Sequence, residues 1–194
     1  RQGPMCISDS ALGTFALGGF SAWLPTYFHR FWGFSVSRAG LVFGAMVVVC
    51  GALGTFLGGK LADKLLKKPH LAYFITIFAS FLLAFPFAAG AVVCAKLLPA
   101  LLLLAGGIVC IFLPMGPISA ALVALTRTRV RSMAFAVNIF IIHALGDAVS
   151  PVLLGKASDI WGLKTAILFC SFAVLPACLF TLCSSWFARK SGRL

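Results

Sequence analysis

The sequence predicts an all-α membrane fold: a six-transmembrane-helix bundle made of a 3+3 inverted repeat. Three observations lead there. Of 194 residues, 61% are hydrophobic and 10% charged, with a mean hydropathy of +1.07; a soluble domain is about half apolar and a quarter charged. Six apolar runs reach membrane-spanning length, about 20 residues. A short pattern recurs half-way along the chain.

The spans are expected at about 10–29, 37–59, 70–94, 97–125, 133–155 and 163–187. Short loops between them carry nearly all the charge. Span one holds Thr14, Ser21, Trp23, Pro25, Tyr27 and His29. Thr14 and Ser21 are seven apart and share a helix face, so they are candidates to line a cavity. Tyr27, His29 and Trp32 suit an interfacial aromatic belt. Span two carries Gly40/Gly44 and Gly54/Gly58, i,i+4 pairs that let helix backbones approach closely. Span three contains Pro86, and span four contains Pro114 and Pro117 around Met115-Gly116. Proline removes a backbone donor. Paired breaks in spans one and four are expected, since broken helices mark transporter sites.

Span five contains two ionisable groups, His143 and Asp147, one helical turn apart. Charge at that depth is costly and is expected to face the bundle interior or a watery cavity. Three readings stand open: a structural hydrogen bond, a proton-coupling pair, or a site for a polar headgroup. A His beside a carboxylate can shift across physiological pH. Asn138 points about 140° away from His143 on an α-helix and shares its site only if the helix kinks.

The net charge is +12, with four acidic residues. In an apolar chain this reads as basic loops against anionic lipid and not as nucleic-acid binding. Of the 16 Lys and Arg, eleven fall with the termini and the second-to-third and fourth-to-fifth loops. The richer side is expected to be cytoplasmic, placing both termini there. Arg1 opens the chain and no basic-then-apolar leader follows, so it reads as part of a longer protein. The seven cysteines form no C-x-x-C pair and read as small buried hydrophobes. No metal or cofactor motif appears, and no P-loop. A membrane enzyme using His143 and Asp147 lacks H-E-x-x-H and G-x-S-x-G support.

The repeat pairs GKLAD at 59–63 with GKASD at 155–159, an offset of 96 residues. It maps spans one, two and three onto four, five and six. An odd number of helices per unit inverts the second copy, a transporter signature.

GGKLADKLLKK at 58–68 resembles the loop signature of the major facilitator superfamily, with Leu66 where a second Gly is common. GDAVSPVLLG at 146–155 resembles its glycine–proline helix motif, and DIWGLKTAILF at 159–169 the exit after it. RSMAFAVNIFII followed by HALGDAVSPVLLGKASD, 131–159, is similar to the spinster-like branch. Phe135 stands where that branch's animal members commonly carry Glu, and Asn138 where they carry Gln. The resemblance implies the carboxy-terminal half, helices seven to twelve, of a twelve-helix secondary transporter. Its partners would be the missing amino-terminal half, membrane lipids, a small amphiphilic substrate and, on one reading of the His–Asp pair, protons. The implied cargo is a lysophospholipid or sphingoid phosphate, with a small organic anion or drug-like solute as the alternative. A non-transporting subunit is a further alternative. The substrate candidates are His143, Asp147, Asn138, Thr14, Ser21 and Tyr27. The implied conformational latch comprises Gly59, Asp63, Lys64 and Arg131.

Overall fold

The computed structural model of the chain describes residues 3–64, 69–126, 128–176 and 178. It is helical throughout those residues: α1 (Gly3–Trp32), α2 (Val36–Lys64), α3 (Pro69–Val93), α4 (Leu97–Phe112), α5 (Met115–Leu125), α6 (Arg131–Ile142), α7 (Ser150–Trp161) and α8 (Leu163–Phe172). A 3-10 turn, Thr128–Val130, precedes α6, and a π-helical turn, His143–Asp147, separates α6 from α7. Gly33 and Gly162 end α1 and α7 at φ +67° and +82°, a left-handed conformation open mainly to glycine.

Among the described residues, four runs are long and apolar enough to cross a membrane: Val36–Lys64, Ile75–Val93, Leu97–Ser119 and Thr128–Trp161. The expected sixth span, 163–187, lies partly outside the described residues, as do Arg1, Lys67, Lys68, Arg127 and the basic tail.

Breaks fall where backbone chemistry forces them, and not all where proline occurs. α1 runs unbroken through Pro25, and α3 through Pro86. A single proline deletes one intrahelical bond, which a membrane helix tolerates, so the expected break in span one is absent. Span four does break, between α4 and α5, because Pro114 and Pro117 remove two donors within one turn. Span five breaks without any proline inside the π turn.

The core sits among α1, α3, α4 and α8. Phe81, Ile77, Ile111, Ile167 and Val174 are fully buried there, with Leu24 and Phe20 of α1 packed in. α3 packs along α4; α2 lies on α4 and α5; α1 lies on α2, the π turn, α6, α7 and α8. Of the expected close pairs in span two, Gly54 and Gly58 are buried against α4, with a Cβ at Gly54 falling 2.5 Å from the Val109 carbonyl oxygen. Gly40 and Gly44 meet nothing within 4 Å. That pair faces the open side of the bundle, so its spacing serves no contact within these helices. α2 and the fifth span bury least of themselves. Leu41, Val48, Phe56, Phe140 and Val152 project outward from them.

Cys50, Cys110, Cys170 and Cys178 are buried and Cys94 half-buried, none in a disulfide. No cluster of three metal-ligating side chains occurs among the described residues.

Candidate functional site

The π turn is held by glycine contacts on both sides. Gly146 is buried on α1: a Cβ there would lie 2.9 Å from the Phe15 nitrogen and 3.0 Å from the Ala11 carbonyl oxygen. Gly18 answers from α1, where a Cβ would lie 2.8 Å from the Asp147 Cα. Backbone therefore rests on backbone. The turn closes through Ala148 N–H donating to the His143 carbonyl, 3.0 Å. One extra residue in the turn rotates α7 relative to α6, and such π turns concentrate at functional sites. Trp23 fastens the crossing by donating its Nε1–H to the Pro151 carbonyl, 3.0 Å, across 128 residues of chain. Trp23→Phe is expected to lower stability by about 1 kcal/mol, one net hydrogen bond, read by thermal melting of the purified protein.

His143 Nδ1 and Asp147 Oδ2 form a short hydrogen bond across the turn. It is the only ion pair among the described residues. Contrary to an interior placement, the side chains stay 56% and 38% exposed. Gly146 is the buried residue of the turn on α1, whereas Asp147 meets α1 only beside Gly18 and stays half-buried.

Asp147 forms part of the wall of an open groove of about 620 Å³. α1 contributes Leu17, Gly18, Ser21 and Ala22; α2 contributes Phe43, Gly44, Val47 and Val48; Pro151 completes the lining. A second groove of about 600 Å³ shares Val47 and Val48 and runs along α2 to Phe56 and Phe112. The two adjoin along α2 and are mostly apolar, with the Asp147 carboxylate and the Ser21 hydroxyl in the first and the Thr55 hydroxyl in the second. Such a surface suits a molecule with a polar head and an extended apolar tail.

The candidate residues divide. Asp147 and Ser21 line the groove, and Ser21 Oγ–H donates to the Gly18 carbonyl, 2.9 Å. His143 reaches the site through Asp147. Thr14 is buried beneath, against Gly146. Tyr27 is buried and its hydroxyl donates to the Val92 carbonyl, 3.2 Å, which fixes α1 to α3. Asn138 is half-buried on α6 and lines neither groove. His29 Nδ1–H donates to the Phe34 carbonyl, 2.6 Å, closing the turn after α1.

The latch candidates lie at the end of α2 and the start of α6. Asp63 and Lys64 are exposed at the end of α2 and Asp63 makes no ion pair among the described residues. Gly59 packs near Gly116, whose Cβ would lie 3.4 Å from the Gly59 nitrogen. Arg131 starts α6, its Nε buried without a partner. Gly18, Phe43 and Ser150 belong to the site and were not legible as such. Gly18 sits in a Gly18-Gly19 pair indistinguishable from packing glycines, and Phe43 looks like any lipid-facing aromatic.

Residues 5–95 match the Organic Anion Transporter Polypeptide (OATP) family. The chain is 30% identical over 168 residues to a probable sphingolipid transporter, spinster homolog 2, of Arabidopsis thaliana. That match covers 84% of this chain and 33% of the relative. It is 28% identical to a sphingosine-1-phosphate transporter of Danio rerio, over 92% of this chain and 40% of that one. The fold superposes on a bacterial homolog to the human lysosomal transporter Spinster, in an inward-facing and unoccupied conformation. The TM-score is 0.83 at 17% identity, over 95% of this chain and 47% of that structure. The chain is homologous to the spinster transporters and has the major facilitator fold. It spans about a third of the length of the plant spinster relative and about half of the solved spinster structure. The spinster relatives are named as transporters, which sets aside the reading of His143 and Asp147 as an enzyme's acid and base.

Proposed function

We propose that this chain is the carboxy-terminal half of a twelve-helix spinster-like carrier. The carrier moves an amphiphilic lipid with an anionic head, a lysophospholipid or sphingoid phosphate, by alternating access. The observation that carries the reading is the trough along α2: apolar for most of its length, with Asp147 and its partner His143 at one end. Its walls accept a tail. His143 offers a ring N–H to the head, and Asp147 holds that imidazole in place. The names of the plant and zebrafish relatives support the cargo class.

The packing supports two inverted three-helix units. Under the 96-residue offset, the contact of α1 with the fifth span corresponds to that of α2 with α4 and α5. The contact of α3 with α4 corresponds to that of α8 with α1. Both pairs of contacts exist. The excess of basic residues in the second-to-third and fourth-to-fifth loops favours a cytoplasmic side for both termini. Asp63, Lys64 and Arg131 then lie at the cytoplasmic end, where Asp63 would latch onto a helix N-terminus of the amino-terminal half.

The OATP match over α1 to α3 favours a second reading, transport of an organic anion without a tail. Proteoliposomes holding the full-length carrier separate the two. Labelled lysophospholipid is expected to move and a small dicarboxylate to be carried poorly. A folded carrier that moves the dicarboxylate and no amphiphile would shift the reading to organic anions. Movement of neither would end both.

A further inference from the structure

Ser150 is completely buried, and its hydroxyl has no hydrogen-bond partner. Other helical hydroxyls here bond back to the preceding turn: Ser80 to Thr76, Ser119 to Met115, Ser171 to Ile167 and Thr55 to Gly51. Among the described buried hydroxyls Ser150 alone lacks a partner, and the residues one turn behind it belong to the π turn. A buried polar group left unsatisfied costs stability, and native proteins retain few of them. Alanine would fill the same space without that cost.

A partner lies close by. Asp147 Oδ1 and Ser150 Oγ sit 2.6 and 2.8 Å from one point, the place a Cβ on Gly18 would occupy. Glycine at 18 leaves the space between them open. Asp147 spends its other oxygen, Oδ2, on His143. Rotation of the Asp147 side chain away from His143 carries the carboxylate toward the waiting hydroxyl.

We propose that Ser150 is a positioning residue for the transport cycle: it receives the Asp147 carboxylate when His143 releases it to bind the anionic head of the cargo. The inference rests on the reading of His143 and Asp147 as the head-binding pair. Each step exchanges one hydrogen bond for another. With cargo absent, His143 donates to Asp147 and Ser150 is unpaired. With cargo present, His143 donates to the head and Ser150 donates to Asp147. The carboxylate moves off the groove wall toward α1, so cargo binding acts directly on the contact between α1 and the fifth span. A charge-assisted bond is about twice as strong as a neutral one, enough to hold the second arrangement.

The test measures maximal flux, apparent KM and melting temperature of the full-length carrier for wild type, Ser150→Ala, Asp147→Asn and the double variant. Ser150→Ala is expected to lower maximal flux about tenfold, the factor of one hydrogen bond to a charged group. Apparent KM should rise as well, because the bond to Asp147 forms only as the cargo head takes His143. Melting temperature should stay level or rise, since an unsatisfied hydroxyl has gone. In the Asp147→Asn background, Ser150→Ala should cause no further loss. Wild-type flux in Ser150→Ala overturns the inference, as does a flux loss that tracks a fall in melting temperature or adds to that of Asp147→Asn. Undiminished flux in Asp147→Asn would instead overturn the head-binding reading beneath it.

Discussion

Gly58→Ala is expected to destabilise the bundle by about 3 kcal/mol, the upper range for forcing a methyl into a filled interior. A Cβ at Gly58 would fall on the Leu113 carbonyl oxygen, and the Leu113 Cα would stand 3.0 Å away. Both obstacles are backbone, so no rotamer change relieves them. The position is set by the break in span four. Pro117 lacks the N–H that would serve the Leu113 carbonyl in an unbroken helix. That carbonyl turns outward onto α2, where the Gly58 Cα–H offers a weak donor. Alanine there must push α2 away from α4 and strip the carbonyl of its neighbour. Thermal melting of the purified carrier reads the effect. Gly90→Ala is the control: its Cβ would meet only the Leu103 side chain, at 3.4 Å. That change should be neutral or stabilising, as alanine favours the helix. Equal melting of Gly58→Ala and wild type would show that α2 and α4 do not meet so closely.

The all-helical, apolar character was readable because lipid demands long apolar helices, and four such runs stand among the described residues. The pairing of His143 with Asp147 was readable from their spacing alone. What the sequence withheld was register. Gly40/Gly44 and Gly54/Gly58 share one spacing, yet one pair faces open space and the other carries the contact with α4. Spacing says that two residues share a face, not which neighbour that face meets. The π turn was equally hidden, since no residue type demands it. It follows from Gly146 and Gly18 drawing two backbones together, a long-range contact. Ser150 was hidden with it, because its lack of a back-bond depends on the turn behind it being non-α. Pro25 misled in the opposite direction, because one missing donor bends a helix less than two in the same turn.

Asp147→Asn is expected to reduce amphiphile flux by more than about tenfold while changing stability by no more than about 1 kcal/mol. The two expectations separate role from scaffold. Asparagine keeps the size of aspartate and still offers an oxygen to His143, so the turn retains its shape. Its side chain is 38% exposed and that of His143 56%, so solvent screens the pair and its loss costs little, as for other exposed ion pairs. Flux responds differently. Among the described residues lining the groove the carboxylate is the only negative group, and it holds the His143 imidazole beside it. A neutral amide grips the imidazole less firmly than a carboxylate, which leaves the anionic head with a poorly placed donor; 1.4 kcal/mol lost from that step is a factor of ten in rate. Flux in proteoliposomes and melting in detergent are measured on the same preparation. A variant that melts with wild type and transports with wild type would make the pair structural. The trough would then have to recognise its cargo by the tail alone. A variant that loses both folding and flux would show that the bond to His143 holds the turn together, despite its exposure.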